Sequence, residues 1–157
     1  MNINELVFID EFDNHVVVMS EVVRLFHSYR QMHYVSTEAG GTIIGERRGQ
    51  HIVVTDISEP GQGDIRTRNR FERKGDHHQQ KVDELFKQSD GYLVYLGEWH
   101  THPEDFPQPS YTDIKSWLAG LIATDPMVLL IVGRKSNWLG IKHGNDIRSL
   151  NEKIDKS

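Results

Sequence analysis

Apolar residues recur with a helical period in three segments of the chain. The first segment begins at Ser20, which is a suitable N-cap residue, and the second covers residues 76–89. The third begins at Tyr111 and ends before the Asp125-Pro126 pair. The residues that set the period are, segment by segment, Val22, Leu25, Phe26 and Tyr29; Val82, Leu85 and Phe86; and Ile114, Trp117, Leu118, Leu121 and Ile122. The pattern therefore predicts three amphipathic helices.

Other segments have the composition of strands. They are residues 42–44 and 51–55, joined as a hairpin by a turn at 47–50; residues 65–71; residues 92–96; residues 127–132; and residues 138–142. Alternation over residues 65–71 places Arg66, Arg68 and Arg70 on one face of a strand. The tail over residues 144–157 is polar, and nothing longer than a short helix is expected there. Because helices alternate with strands and hairpins, the sequence predicts an α/β (α+β) fold with a mixed sheet flanked by helices.

Chain length and cysteine content limit the domain organisation and the chemistry. The 157 residues contain no repeat or linker, so a single domain over residues 1–157 is expected. The sequence has no cysteine and nine histidines. Disulfides, thiolate metal ligands and thiol nucleophiles are therefore excluded, and any metal ion must be bound by nitrogen and oxygen atoms.

The charge distribution and the first residues bear on partners and compartment. A net charge of −5 argues against a chain that coats nucleic acid, although residues 66–74 contain five basic residues and one acidic residue. The first residues lack the basic and apolar regions of a signal peptide. The longest apolar run, over residues 127–132, is far shorter than the ~20 residues that span a bilayer. The expected compartment is the cytoplasm, with neither a membrane nor nucleic acid as partner.

One group of residues has the spacing of a metal site. His100 and His102 are two positions apart at the end of a predicted strand, so both rings lie on the same face. Asp113 follows Ser110 by three residues at the start of the third helix, which returns its carboxylate to the same side. Two imidazoles and one carboxylate leave one position of a tetrahedral zinc ion open, as in catalytic sites. The sequence therefore predicts one zinc ion bound by His100, His102 and Asp113.

Each part of this group also has a simpler interpretation. A lone His-x-His pair is common without metal, and Ser110 with Asp113 matches a helix capping box. Capping and metal binding are compatible, and the histidine pair, the proline-rich spacer and the Ser-x-x-Asp segment together favour the metal site. Glu98 shares the strand face of the two histidines and is a competing candidate for a base or for a residue that supports them. The other seven histidines, including His77 and His78, are expected to be solvated or packed.

Two segments resemble those of a known family. His100-Thr101-His102-Pro103, followed after His102 by seven residues and then Ser110-Tyr111-Thr112-Asp113, resembles the JAMM motif, His-x-His-x7-Ser-x-x-Asp, of the MPN/JAB metalloproteases. Residues 37–45 resemble the segment of that family that carries the catalytic glutamate, which is Glu38 here. The resemblance extends over about residues 20–140. It implies a single JAB/MPN domain with a curved mixed sheet flanked by helices, similar to the cytidine-deaminase architecture.

The resemblance also implies a role for each matching residue. One catalytic zinc ion would be bound by His100, His102 and Asp113. Glu38 would accept a proton from the zinc-bound water and pass it to the leaving amine. Ser110 would donate a hydrogen bond to the developing oxyanion. Taken alone, Glu38 is better interpreted as a surface acid at the C-terminus of a helix or at a strand edge.

The details of the motif favour one branch of the family. A complete ligand set favours active isopeptidases over scaffold members, which usually lack metal ligands. RadC-like proteins, which are associated with DNA repair, normally have Asn between the histidines and Ser-Gly after the proline, where this chain has Thr101 and Glu104-Asp105. The motif is most similar to stand-alone bacterial JAB proteins, some of which are encoded beside E1/E2-like ligation proteins in CBASS anti-phage operons.

That similarity implies a specific reaction. The expected enzyme is a zinc isopeptidase that removes a cGAS/DncV-like nucleotidyltransferase from the proteins to which its C-terminal tail was ligated. Alternatives are a deconjugase for another ubiquitin-like or sulfur-carrier protein, a RadC-like DNA-associated protein, and a non-catalytic zinc-binding module.

The basic residues of segment 66–74 support a further hypothesis about substrate binding. On a shared strand face, Arg66, Arg68 and Arg70 would contact an acidic partner or an extended C-terminal tail laid along the strand edge. The alternative is a solvated basic edge that opposes aggregation.

Overall fold

The computed structural model describes residues 4–121 and 123–154. The three predicted helices are present as α1 (Ser20–His27), α2 (His77–Gln88) and α3 (Tyr111–Gly120). The strands are β1 (Leu6–Ile9), β2 (His15–Val18), β3 (Gly40–Arg48), β4 (His51–Ile57), β5 (Ile65–Thr67), β6 (Arg70–Glu72), β7 (Val94–Thr101), β8 (Met127–Val132), β9 (Asn137–His143), β10 (Asp146–Ser149) and β11 (Asn151–Glu152). Ile122, which the helical period assigns to α3, lies outside the described residues. No helix within those ranges is long and apolar enough to cross a membrane.

Nine of these strands form one mixed sheet, in the order β10-β9-β8-β7-β3-β4-β2-β1-β11. β2 pairs with β4 and β7 pairs with β8 in parallel, whereas the other neighbouring strands are antiparallel. β3 and β4 are the predicted hairpin. The prediction of a mixed sheet flanked by helices is confirmed.

The sheet curves until its two ends meet. β10 and β11 are at opposite ends of the strand order, but only Leu150 separates them in sequence. The neighbours of a single residue are at most ~7 Å apart. The chain can therefore pair at both ends of the sheet only because the sheet bends back on itself, which confirms the curved architecture.

Side chains pack against both faces of this sheet, as β8 illustrates. All six residues of β8 are buried. The even-numbered residues share a core cluster with Phe26 of α1, whereas Leu129 and Ile131 share one with Trp117 of α3. Because consecutive strand residues face opposite sides and neither side is open to water, β8 is a continuous apolar run.

Residues 65–71 do not form the single strand that their alternation predicts. The chain reverses at Arg68 and Asn69, so β5 and β6 pair as a separate two-stranded hairpin. Arg66, Arg68 and Arg70 therefore do not share one strand face, and that prediction is wrong. Alternation over so short a segment cannot distinguish one strand from two short strands joined by a tight turn.

Two further expectations differ from the structure at the ends of elements. Met19, rather than Ser20, is the N-cap of α1, and no side chain caps the helix. The polar tail contains β10 and β11 in place of a short helix. Strands at the edge of a sheet require backbone hydrogen bonds but few apolar side chains, so their sequence carries little signal.

Candidate active site

Three side chains from two elements meet at one end of β7. His100 lies in β7, His102 lies one residue beyond its end, and Asp113 lies in the first turn of α3. The Nε2 atoms of the two histidines are 3.1 Å apart. Asp113 Oδ1 is 3.2 Å from His100 Nε2, and Asp113 Oδ2 is 3.1 Å from His102 Nε2. The structure thus brings the three predicted ligands together.

This triangle of atoms has the dimensions of a metal site. Ligand atoms that lie ~2.0–2.1 Å from a tetrahedral zinc ion are ~3.3 Å from one another, which is close to the separations in this triangle. The three side chains are between 10% and 17% exposed, so the site is largely shielded from water. The donor set can therefore hold a metal ion and leave a position open for water or substrate.

The start of α3 fixes the position of Asp113. Ser110 is the N-cap, and its Oγ accepts a hydrogen bond from the backbone N–H of Asp113 at 3.0 Å. Asp113 Oδ2 in turn accepts one from the backbone N–H of Ser110 at 2.8 Å. The predicted capping box is confirmed, and it coexists with the contacts to the histidines. Because Ser110 Oγ is the acceptor in this pair, its hydroxyl hydrogen can be donated elsewhere.

Charge interactions hold Asp113 as an anion. Burial alone would raise the pKa of Asp113, but its hydrogen bonds with His100 and His102 outweigh burial and keep that pKa well below its usual range. Burial would lower the pKa of His102, and the hydrogen bond to Asp113 reverses this and raises it. A carboxylate that stays ionised beside two imidazoles suits a divalent cation.

Glu104 orients the ring of His102. Its Oε1 lies 2.7 Å from His102 Nδ1. This contact favours a proton on Nδ1, which leaves Nε2 free to bind a metal ion. The role of Glu104 is not predicted from the sequence, where the available signal is an acidic residue two positions after the second histidine.

Glu98 lies in the same groove as the histidines but contacts a different residue. Its Oε2 is 3.2 Å from Arg73 Nη1. The contact to His102 comes from Glu104, and the supporting role expected for Glu98 stays a prediction.

Glu38 enters the site from the segment that precedes β3. It is only 6% exposed. Burial raises the pKa of Glu38 to about 7, although the charges of His100 and His102 oppose the shift. A carboxyl group with a pKa near neutrality can both accept and release a proton at physiological pH.

The Gly40-Gly41 pair after Glu38 allows close packing at the start of β3. A Cβ on Gly41 would lie 2.0 Å from the carbonyl oxygen of Ser58, and one on Gly40 would lie 2.6 Å from that of Trp99. Any side chain would push β3 away from its neighbours. Since β3 is paired with β7 through Gly40 and His100, these glycines also determine how close Glu38 comes to the histidines.

A groove of about 900 Å³ connects these side chains. One wall carries the candidate site, and the β5–β6 hairpin with the residues after it forms the other. The ionisable lining residues are Glu38, Glu98, His100, His102, Glu104 and Asp113 on the first wall, and Arg70, Glu72, Arg73 and Lys74 on the second. Ser110 also lines the first wall.

Arg66 and Arg68 donate hydrogen bonds to backbone carbonyl oxygens of the chain itself. Arg66 Nε donates to the carbonyl oxygen of Glu38 at 2.8 Å. Arg68 donates to the carbonyl oxygen of Tyr34 at 2.6 Å and lies over the ring of Tyr34. Of the three arginines predicted to bind substrate, the structure thus places Arg70 on the groove.

A second cluster of potential ligands lies at the base of the hairpin. Asp64, His77 and His78 are close enough to share an ion. His78 is buried, however, and bridges Ser58 Oγ at 2.6 Å and Asp64 Oδ2 at 2.8 Å. The nitrogen Nε2 of His77 is bonded to the carbonyl oxygen of Glu59. These bonds give His78 the packed, structural environment that the sequence predicts.

Comparison with known proteins links the fold and the site to one family. A family described as prokaryotic homologues of the JAB domain matches residues 20–150. A protein named CD-NTase/cGAS isopeptidase from Escherichia coli is 69% identical over 154 residues, covering 98% of this chain and 99% of the relative. A protein of the same name from Vibrio cholerae is 59% identical and covers 88% of each chain. A probable metalloprotease from Sinorhizobium fredii is 33% identical, covering 65% of this chain and 66% of the relative.

A solved structure shares the overall fold. The solution structure of protein DSY2949 from Desulfitobacterium hafniense matches with a TM-score of 0.54 and 14% identity, covering 84% of this chain and 87% of the other. At this identity, the similarity bears on the architecture alone.

Proposed function

This chain belongs to the family of prokaryotic homologues of the JAB domain, and from that premise we propose that it is a zinc isopeptidase of anti-phage defence that acts on a CD-NTase or cGAS-like protein. It would cut the bond after the C-terminal residue of that protein and so release it from the lysine of a target. The observation that carries the proposal is the triangle formed by His100, His102 and Asp113, which opens onto the groove that Glu38 lines.

The residues of the site divide the hydrolysis between them. When bound by His100, His102 and Asp113, a zinc ion supplies Lewis-acid polarisation and acidifies water. Glu38 accepts a proton from the attacking water and returns it to the amine, as the new C–O bond forms and the C–N bond breaks. Ser110 donates a hydrogen bond from its hydroxyl group to the oxyanion that develops on the carbonyl oxygen. The products are a free C-terminal carboxylate and a free lysine amine.

The hairpin offers a place for an extended substrate tail. Among the described strands, β6 pairs only with β5, so its other edge is open to an added strand. Residues of β6 line the groove, where Arg70, Arg73 and Lys74 lie with Glu72 between them. Backbone hydrogen bonds to the tail would hold it in the groove, and the basic side chains would favour acidic or carbonyl-rich segments.

The proposed function is tested with a CD-NTase joined through its C-terminus to the lysine of a second protein. We expect the zinc-loaded chain to release the CD-NTase with an intact C-terminus and a chelator to abolish the release. Glu38→Ala should lower kcat by ~100-fold or more, because the group that transfers the proton is lost, while one zinc ion per chain is still measured in the variant.

Glu84→Ala, which removes an exposed acid from α2, is the matched control and should cleave at the wild-type rate. Cleavage by Glu38→Ala at the wild-type rate would show that Glu38 is not the base. Release of another ubiquitin-like protein but not of the CD-NTase would assign a different deconjugase. Stoichiometric zinc without cleavage of either conjugate would identify a non-catalytic zinc-binding module.

A further inference from the structure

Gln31 connects three parts of the site from a buried position after α1. It is 1% exposed. Its Oε1 accepts a hydrogen bond from Thr101 Oγ1 at 2.8 Å, and its Nε2 donates to the carbonyl oxygens of Arg68 at 2.8 Å and Ser36 at 3.3 Å. A single amide thus joins the metal-binding end of β7, the turn of the hairpin and the segment that leads to Glu38.

The backbone of Glu38 closes this connection into a ring. Its N–H donates to the carbonyl oxygen of Thr67 at 2.7 Å, and its own carbonyl oxygen accepts from Arg66. The next residue, Ala39, is held by Thr101, whose Oγ1 accepts from the Ala39 N–H at 3.0 Å. The Thr101 N–H also donates to the Ala39 carbonyl oxygen at 2.9 Å. Both peptide groups beside the Glu38 side chain are therefore hydrogen-bonded. The peptide group before Glu38 is bonded to the hairpin, and the one after it is bonded to both the hairpin and β7.

The hydrogen bonds in this ring require an amide at position 31. Thr101 Oγ1 already accepts a bond from Ala39, so its hydrogen must be donated to an acceptor. The carbonyl oxygen of Arg68 on the other side requires a donor. A carboxylate cannot donate and an ammonium group cannot accept, whereas an amide does both.

We propose that Gln31 is a positioning residue, which sets the place of Glu38 relative to His100 and His102 by fixing the hairpin and β7 against each other. Thr101, the residue between the two histidines, transmits this constraint. The inference rests on the proposed function in so far as Glu38 is taken as the base, but the placement of the Glu38 backbone can be measured without any substrate.

The test uses Gln31→Met, which keeps the volume of the side chain and removes its hydrogen bonds. We expect kcat of the zinc-loaded variant to fall by about tenfold or more, since small displacements of a catalytic group are costly. Zinc affinity, measured by competition with a chelating dye, should stay within about threefold, because the partners of the three ligands are unchanged. Hydrogen exchange at the amides of Glu38 and Ala39 should become about tenfold faster or more.

Lys142→Met is the matched control. Lys142 is also buried and donates to two backbone carbonyl oxygens, but it lies on β9, away from the ring. The Lys142→Met variant should lose thermal stability as Gln31→Met does, but it should keep wild-type kcat and wild-type hydrogen exchange at Glu38 and Ala39. Thr101→Val should lower kcat and speed the exchange of these two amides, as Gln31→Met does. Thr101→Ser, which retains the hydroxyl group, should keep wild-type kcat and wild-type exchange.

The proposal is overturned if Gln31→Met matches Lys142→Met in kcat and in the exchange of these two amides. If Gln31→Met does not fold, the same comparison is made with Gln31→Glu, which keeps the acceptor for Thr101 and loses the donor to Arg68. If the wild-type chain cleaves no conjugate, the proposed function fails, while the exchange measurements still decide whether Gln31 positions the Glu38 segment.

Discussion

At the scale of single residues, His102 has a partner at each ring nitrogen. Nδ1 contacts Glu104 at 2.7 Å, and Nε2 faces Asp113 and His100. The two contacts fix both the tautomer and the rotation of the ring. Because the side chain of Glu104 is 49% exposed, it supports the histidine without being buried among the ligands. A partly solvated carboxylate thus orients one of the candidate metal ligands.

Removal of this carboxylate should weaken metal binding. We expect Glu104→Ala to lower zinc affinity by about tenfold, because His102 loses the partner that fixes its tautomer. Glu104→Gln, whose carbonyl oxygen can still accept from Nδ1, should lie closer to wild type. Zinc affinity is measured by competition with a chelating dye. An unchanged affinity in Glu104→Ala would show that the contact has no role in metal binding.

The residues of the site differ in how far the sequence can predict them. The ligands and the capping box follow from short spacings, since strand and helix periods place His100 beside His102 and Asp113 beside Ser110. Gln31 is 70 positions away from Thr101, and nothing in the local pattern connects them. Arg66 is predicted as a residue that binds substrate, but its Nε is bonded to the backbone of Glu38, a contact that depends on how the hairpin folds.

At the scale of elements, the β5–β6 hairpin is fastened at its base as well as at its turn. Asp64 accepts hydrogen bonds from the backbone N–H groups of Gly61, Lys74 and Gly75 and contacts His78. Burial alone would raise the pKa of Asp64, but these bonds outweigh burial and lower it to about 2. The ionised carboxylate therefore stabilises the closed base of the hairpin.

This arrangement predicts a loss of stability in acid. The pKa of Asp64 lies below its ordinary value of 3.8, so the unfolded chain binds the proton more tightly than the folded protein does. The contribution of Asp64 is complete above about pH 4 and is lost as the pH falls towards about 2. Asp64→Asn should lower the free energy of unfolding by about 1–3 kcal/mol at neutral pH, since it weakens hydrogen bonds of a side chain that is shielded from water.

The measurement is denaturant unfolding of both proteins over this pH range. The free energies of the wild type and Asp64→Asn should converge in acid, whereas Asp83→Asn, which changes an exposed residue of α2, should follow the wild type throughout. Parallel curves for the wild type and Asp64→Asn would contradict the assigned role of Asp64.

Elements differ in predictability according to how much of their stability comes from side chains. β8 is a continuous apolar run and the three helices bury apolar residues with a clear period, and the sequence predicts all of them. β10 and β11 are polar and short, and they are defined by pairing with β9 and β1. The β5–β6 hairpin is also short, and its turn at Arg68 depends on the distant residue Gln31. Pairing of this kind is decided by tertiary structure and leaves little trace in a local pattern.

At the scale of the whole molecule, basic side chains lie on one wall of the groove although the chain as a whole is negatively charged. The protein carries a net charge of −5, yet Arg70, Arg73 and Lys74 line one wall of the groove. They are paired with Glu72 and Glu98 at the surface. Solvent screens ion pairs at the surface, so a substrate can displace them at little cost.

This charge pattern predicts that substrate binding depends on salt. KM should rise with ionic strength, because screening weakens attraction between the basic wall and the tail. A variant with Arg70→Glu and Lys74→Glu should have a higher KM at low salt and a weaker dependence on salt, with kcat little changed. Steady-state kinetics on the conjugate at several salt concentrations provide the measurement.

The matched control combines Arg48→Glu with Lys87→Glu, which changes the net charge equally but away from the groove. It should keep the wild-type KM and its salt dependence. If both double variants behave alike, the effect belongs to the overall charge and the basic wall does not bind the tail.

The return of the chain through Leu150 has a further consequence for which peptides the protein can accept. Among the described residues, the nine-stranded sheet ends in β10 and β11, which are four and two residues long. Such short strands are poor templates for self-pairing or for capture of unrelated extended chains. β6 does not belong to that sheet, and its residues line the same groove as Glu38 and the candidate ligands. The proposed pairing of an extended peptide with β6 would therefore hold the peptide in that groove.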